Sequence, residues 1–424
     1  MQTVAIVVLI TMVLLGIPVW VSVLTGATLL AVVALHMDPT MIISIMVEKV
    51  SQSALIAVPL FIFSGDLLAR GGSAAPLVKV LNGFMGHIPG GPAYVMVIAC
   101  AIFGAMSSSA TAAIAGFGPL LIPMMIEAGY SKKFAIGLLI ISVSLAPLIP
   151  PSIPLILFGF ITETSIRDLY LAGFPAGLLL AALICVTVYV QTKRGHYSPP
   201  IRASWRERRQ AIKEGWPVLL MPLIVTVPIY TGVATPSEAA VIASLYSLFL
   251  GFAIYKKLSL GSMWQSARRT IHVTAMIFVI VGSAFILNLA FTYIRIPFEV
   301  SDAISSAGLN AAGFMIIAIL IFFLMGCVLD PSAILMVTAP LLMPTVLSLG
   351  ISPVVFGVVV VFSIEIAGVT PPYGLHIFAA VGILKEPFGL IARSCLLFYP
   401  ALIVGQLMLA YIPQISLCLT YLKN

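Results

Sequence analysis

Two clusters of oxygen-bearing residues stand inside otherwise apolar sequence. In the first, Gly104-Ala105-Met106-Ser107-Ser108-Ser109-Ala110-Thr111, three consecutive serines and a threonine are flanked by small residues. The second, Gly326-Cys327-Val328-Leu329-Asp330-Pro331-Ser332, sets a carboxylate beside a hydroxyl. Small hard cations take oxygen ligands, and inside membranes these come from unwound carbonyls, hydroxyls and the ends of half-helices. The ion-binding candidates are therefore Ser107, Ser108, Ser109, Thr111, Asp330 and Ser332, joined by Gly368 and Thr370 from the run Ala367-Gly368-Val369-Thr370-Pro371. A carboxylate within a membrane segment is a functional candidate by default. The Asp-Pro pair also suits a plain hairpin turn, and serines in apolar helices also serve close packing or bond back to the preceding turn. Three serines in a row at a break favour the ion site. Glu365 is the next candidate ligand for a cation or proton, while Asp66 and Glu238 are weaker; Glu238 follows Pro236-Ser237 and suits a helix N-terminus.

Two double prolines accompany these clusters, Pro150-Pro151-Ser152 and Pro371-Pro372-Tyr373-Gly374. Proline removes a backbone donor and stops a helix from continuing. Free N–H groups at a resumed half-helix suit an anion. Pro151 and Tyr373, at these breaks, are substrate-side candidates. Arg295 joins them as a basic residue just ahead of the second cluster, although it also suits an interfacial anchor. No catalytic constellation can be assembled: the five histidines are scattered and no phosphate-binding glycine loop occurs. The five cysteines lie singly in apolar sequence and read as inert buried thiols. An enzyme is not expected, nor a bound cofactor.

The elements that must position these residues are membrane helices. Of the 424 residues 61% are hydrophobic and only 8% charged, against about 25% charged in soluble proteins. A shift of 221 positions carries Pro119-Leu120-Leu121-x-Pro123 onto Pro340-Leu341-Leu342-x-Pro344, Gly129 onto Gly350, Ser131 onto Ser352 and the first double proline onto the second. The chain is thus an internal duplication whose halves both interrupt apolar sequence, the pattern that marks a transporter binding site. The expected fold class is an all-α polytopic membrane protein with two inverted repeats, about ten transmembrane spans and two re-entrant hairpins.

The first repeat, residues 1–191, opens with an apolar run at 3–35 broken at Gly16-Ile17-Pro18, its first span short. A span at 51–70, an interfacial helix and turn at 71–91, a hairpin at 92–128, a broken span at 134–160 and a span at 169–191 follow. Residues 192–215 form a basic linker. The second repeat, 216–424, holds spans at 216–232, 236–254 and 270–292, an amphipathic stretch at 293–309, a hairpin at 310–348, a broken span at 353–383 and a final span at 390–417. An odd number of spans per half would invert the second copy. With the linker in the cytoplasm, seventeen of the 21 lysines and arginines lie inside, leaving Lys49, Arg167, Arg295 and Lys423 outside. That bias is the positive-inside pattern and accounts for the net charge of +7 without nucleic acid. No basic segment precedes the first apolar run, so no removable leader is expected.

At Phe61–Gly72 (FIFSGDLLARGG), Gly86-His87-Ile88-Pro89-Gly90-Gly91, Gly104-Ala105-x-Ser107-x-Ser109-Ala110 and Ile149-Pro150-Pro151-Ser152-Ile153-Pro154, the sequence resembles the large membrane subunit of tripartite ATP-independent periplasmic (TRAP) transporters. Leu171-Ala172-Gly173 and Thr235-Pro236-Ser237-Glu238-Ala239-Ala240 extend the resemblance over essentially the whole chain. The serine cluster departs from it, with Ser-Ser-Ser in place of a serine-glycine-serine type core. The resemblance implies an elevator-type secondary transporter of the bacterial inner membrane, usually coupled to Na⁺. Its implied partners are a small membrane subunit and a periplasmic binding protein that delivers an organic acid. It also implies ion binding at Ser107–Thr111 and around Asp330, and substrate carboxylate contact at Ser109 and Ser152. A stand-alone ion-coupled carrier and, further off, a passive channel or a membrane-embedded enzyme are the competing readings; residue types alone leave Na⁺ against H⁺ open.

Overall fold

The computed structural model describes residues 2–195, 202–327 and 329–421, and every regular element among them is helical. Prolines, glycines and capping side chains set the boundaries, because most helices are apolar nearly all round and carry no period that would do so. The first apolar run forms α1 (Gln2–Leu14) and α2 (Val19–Thr28), which continues as a π-turn over Leu29–Ala34. At 13 residues α1 is about 20 Å long, short of the ~30 Å hydrocarbon layer. The next helix, α3 (Pro39–Val50), was not foreseen, although Asp38-Pro39 is a good start signal: the Asp38 carboxylate accepts from Thr40 N at 2.8 Å.

The rest of the first half is α4 (Ser53–Arg70), α5 (Ala74–Met85), the hairpin α6 (Gly91–Ser107) and α7 (Ala110–Glu127), the interrupted span α8 (Lys132–Val143) and α9 (Ile153–Thr162), and α10 (Ile166–Arg194). The expected linker is shorter than 192–215. Its central residues, 196–201, lie outside the described residues, and α11 (Trp205–Thr231) already begins at a capping box in which Ser204 N donates to Glu207 Oε2 at 2.6 Å. Polar composition there reflects an exposed helical turn, pinned by the 2.8 Å Lys79–Glu214 ion pair, and not an extended connection.

In the second half α12 (Pro236–Phe249) runs into a π-turn over Leu250–Ile254, and α13 (Leu260–Tyr293) starts ten residues before the predicted 270, at the Ser259 cap. The amphipathic α14 (Ile296–Ser306) precedes the hairpin α15 (Ala311–Gly326) and α16 (Pro331–Ser348), then the interrupted α17 (Pro353–Gly368) and α18 (Leu375–Leu384). The final span is also corrected. After α19 (Phe388–Cys395) and α20 (Tyr399–Tyr411) the chain breaks at Ile412, and Pro413, which has no N–H to continue the ladder, opens a separate α21 (Pro413–Tyr421) packed on α10.

Among the described residues, eight helical stretches are long and apolar enough to cross a membrane, and they include the second arm of each hairpin, α7 and α16. The 221-residue shift superposes α7 on α16 residue for residue, and both double prolines have cis peptide bonds. Packing interlocks the copies: α7 lies against α18, and α16 lies against α9, so each hairpin arm touches the broken span of the other half. Phe356 of α17 anchors the middle, with ring centroids 6.2 Å from Phe158, 6.1 Å from Phe314 and 6.2 Å from Phe322. Ion pairs join residues that the charge pattern puts on one side, as in Lys132–Glu386 at 2.5 Å.

Candidate functional site

The first hairpin turns at the serines. Ser108 takes the left-handed conformation, φ 48°, and closes α6; Ser109 then caps α7, its hydroxyl accepting from Ala112 N at 3.2 Å. Ser107 Oγ accepts from Ser109 N at 3.4 Å, and Ser109 Oγ lies 3.1 Å from Thr111 Oγ1. The buried Ser108 hydroxyl accepts from Ile153 N at 2.9 Å, so the tip is tied to the first turn of α9. Close approach needs glycine: a Cβ on Gly104 would lie 2.6 Å from Ala146 Cα in the α8–α9 break, and one on Gly65 of α4 would lie 2.8 Å from Ser107 O.

The second hairpin turns at Asp330, which caps α16 by accepting from Ser332 N at 2.9 Å. Its carboxylate is exposed and, among the described residues, makes no ion pair. Val328 of the same turn lies outside the described residues. The Ser332 hydroxyl and the Ala333 N–H also approach the Asp330 carboxylate, whose two oxygens together offer about four acceptor sites and so can still ligate a cation.

Both tips line one cavity of about 360 Å³, which takes in Ser107, Ser108, Ser109, Thr111, Asp330 and Ser332. A second cavity of about 690 Å³ meets it at Asp330, Ser332 and Leu375 and extends to Tyr373 and the α1–α2 break. The first cavity also receives α4 and α13. Asp66 of α4 accepts at Oδ1 from Arg269 Nη1 at 2.6 Å, and at Oδ2 from Arg70 Nε and Ser266 Oγ, both at 2.7 Å. Arg269 Nη2 reaches the hairpin tip, donating to Thr111 Oγ1 at 3.3 Å.

Six of the eight predicted ion ligands are thus brought together. Gly368 and Thr370 sit at the end of α17: a Cβ on Gly368 would lie 3.0 Å from the His376 ring, and the Thr370 hydroxyl donates back to Ile366 O at 2.7 Å. The substrate-side candidates divide. Ser109 lines the first cavity and Tyr373, its ring tilted 36° against Phe378 with centroids 4.9 Å apart, lines the second. Pro151 and Ser152 are buried, and the Ser152 hydroxyl is engaged with Pro147 O and Leu155 N. Arg295 lies outside both linings; it is exposed, with φ 62°, over the Phe298 ring at 5.8 Å. Glu365 is buried and paired with His376, Oε2 to Nε2 2.9 Å, across the α17–α18 break. Glu238 belongs to a capping box with Thr235 at the start of α12.

Sequence reasoning missed Arg269, Ser266 and His376. Placing the start of the span at 270 left Arg269 in a loop. The signal was the Ser266–Arg269 spacing, which puts both on one helix face toward Asp66.

Helical hairpins meeting interrupted spans over a shared cavity define the class of polytopic membrane transporters. Two solved transporters share the fold: YdaH of Alcanivorax borkumensis (TM-score 0.63, 16% identity, 89% of this chain and 87% of that one) and MtrF of Neisseria gonorrhoeae (TM-score 0.61, 14% identity, 87% and 83%). The family model "Tripartite ATP-independent periplasmic transporter, DctM component" matches residues 6–415, and the chain belongs to that family. Among its relatives are the ectoine/5-hydroxyectoine TRAP transporter large permease protein of Ruegeria pomeroyi (34% identity; 97% of this chain, 96% of that protein) and the C4-dicarboxylate large permease protein of Pseudomonas aeruginosa (33%; 88% and 87%). The sialic acid large permease protein of Vibrio cholerae is 32% identical over 88% of both chains. The chain is therefore a transporter permease of the inner membrane, not an enzyme.

Proposed function

We propose that the chain is the ion-coupled permease for uptake of a small organic acid, which a periplasmic binding protein hands over and a small membrane subunit helps to embed. The observation that carries this reading is the meeting of the two hairpin tips in one cavity, with Asp330 free of any described cation and four hydroxyl-bearing tip residues opposite it. Such an oxygen-rich lining suits Na⁺, whose entry would offset the charge of an imported anion. Relatives named for ectoine, C4-dicarboxylates and sialic acid support a small organic acid as the class of cargo. The 221-residue duplication supports inverted repeats, and the interlocked hairpins and broken spans would move as one elevator body against α4, α12 and α13.

The test is uptake into proteoliposomes that hold this chain and its small partner, with labelled organic acids outside. Uptake that requires both an inward Na⁺ gradient and the binding protein is the expected result. Uptake that persists without the binding protein would move the reading to a stand-alone carrier, and uptake indifferent to Na⁺ would remove the coupling ion.

A further inference from the structure

We infer that Arg269 recognises the carboxylate of the transported molecule, and that binding exchanges Thr111 for that carboxylate on one edge of the guanidinium. The inference rests on the organic-acid reading above and names the residue that would read the cargo's charge.

Four observations converge. Arg269 is the residue with a fixed positive charge among the described residues lining the first cavity, and its side chain remains 47% exposed. Its Nη1 is anchored at 2.6 Å to Asp66, which Ser266 and Arg70 hold in turn, so the guanidinium is aimed before any ligand arrives. Two guanidiniums share the single Asp66 carboxylate, which leaves this cluster one positive charge in excess. Finally, among the described residues the Nη2 edge has only a neutral hydroxyl as partner, Thr111 Oγ1, at 3.3 Å. Charge-assisted contacts from arginine to carboxylate run at about 2.7–2.9 Å and are roughly twice as strong as neutral ones. A carboxylate entering the cavity therefore displaces Thr111 from Nη2.

The exchange has a consequence for the hairpin. Thr111 Oγ1 is also 3.1 Å from Ser109 Oγ, so releasing it from Arg269 frees an acceptor position on the Thr111 hydroxyl and lets the Ser109–Thr111 pair at the tip readjust within the cavity that Asp330 also lines. Cargo charge is read on α13 and reported to the α7 cap. A purely structural Arg269, one that only braces α13 against α4 and the tip, would have no reason to distinguish an acid from its neutral amide.

That distinction is the test. The complete complex with its binding protein is reconstituted, and uptake of labelled succinate, sialic acid and ectoine is measured for wild type, Arg269→Gln and Arg269→Lys. For the acid that wild type transports, Arg269→Gln should raise KM about ten- to hundred-fold, the usual range for losing a hydrogen bond to a charged group. Arg269→Lys, which keeps the charge but not the fork, should fall between them with Vmax preserved. On the membrane complex without its binding protein, thermal protection by the matching carboxamide should be far weaker than by the acid in wild type and nearly equal to it in Arg269→Gln. An unchanged KM in both variants, or acid-over-amide selectivity intact in Arg269→Gln, would overturn the inference and leave the organic-acid reading standing. If Arg269→Gln does not assemble, an unchanged KM in Arg269→Lys is the overturning result. Wild-type uptake of neutral solutes alone, with no acid transported, would overturn both.

Discussion

Glu365 and His376 face each other across the gap in the second broken span, Oε2 to Nε2 2.9 Å, and both side chains are buried. A carboxylate at this depth is tolerable because the imidazole completes it. Stranding one partner of a buried hydrogen bond costs about 1–3 kcal/mol, and more where the group left behind is charged. His376→Ala should therefore lower the Tm of the detergent-purified protein markedly, whereas Glu365→Gln, which still offers a hydrogen-bonding group, should lower it less. An unaltered Tm in His376→Ala would mean that the pair does not hold α17 to α18.

Gly104 makes a different kind of demand. With 2.6 Å between its would-be Cβ and Ala146 Cα, the obstacle is backbone, which cannot rotate away as a side chain can. Gly104→Ala should destabilise by about 1–3 kcal/mol through overpacking, and Gly104→Val should prevent the tip from docking in the α8–α9 break. Limited proteolysis of the two variants checks this; equal resistance to cleavage in wild type and Gly104→Val would refute it.

Ser108 joins the same two elements by a single hydrogen bond. Ser108→Ala strands the Ile153 N–H, an unsatisfied donor worth about 1–3 kcal/mol where water is excluded. Ser108→Gly loses the bond too but relieves the left-handed φ of 48°, so it should be the milder change. The Tm order expected is wild type, then Ser108→Gly, then Ser108→Ala; the reverse order of the two variants would show that relief of the left-handed backbone is not what separates them, since both lose the hydroxyl.

The hairpins and broken spans were legible because their signals are local: Ser-Ser-Ser, Asp330-Pro331 and the double prolines each stop a helix within a few residues. The duplication made them doubly so, since Pro119 predicts Pro340 and Ser131 predicts Ser352. Helix starts in polar sequence were harder. Trp205 and Leu260 begin helices well ahead of their apolar runs because Ser204 and Ser259 cap them, and hydropathy is silent about caps. The partnerships were not legible at all. Asp66 and Arg269 are far apart in sequence, as are Ser108 and Ile153, and only the packing of α4, α13 and the hairpin brings them together. Arg295 shows the converse: its basic character near the hairpin suggested a role at the cavity, and the αL turn before α14 carries it elsewhere.

Asp330 combines two tasks that substitution can separate. Its Oδ1 caps α16 through Ser332 N, and in the proposed function its charge also holds the coupling ion. Asparagine caps a helix about as well as aspartate, so Asp330→Asn should keep the hairpin and remove only the charge. Asp330→Ala removes both, and the lost cap should cost a further 0.5–2 kcal/mol or so. In the reconstituted complex, Asp330→Asn should assemble at wild-type levels yet need on the order of ten-fold more Na⁺ for half-maximal uptake, since about 1.4 kcal/mol of lost ion affinity is a factor of ten. Asp330→Ala should show the same Na⁺ shift with a lower Tm. If Asp330→Asn instead takes up the acid with wild-type Na⁺ dependence, the carboxylate serves the turn alone, and the coupling ion must be held by the serine tip without it.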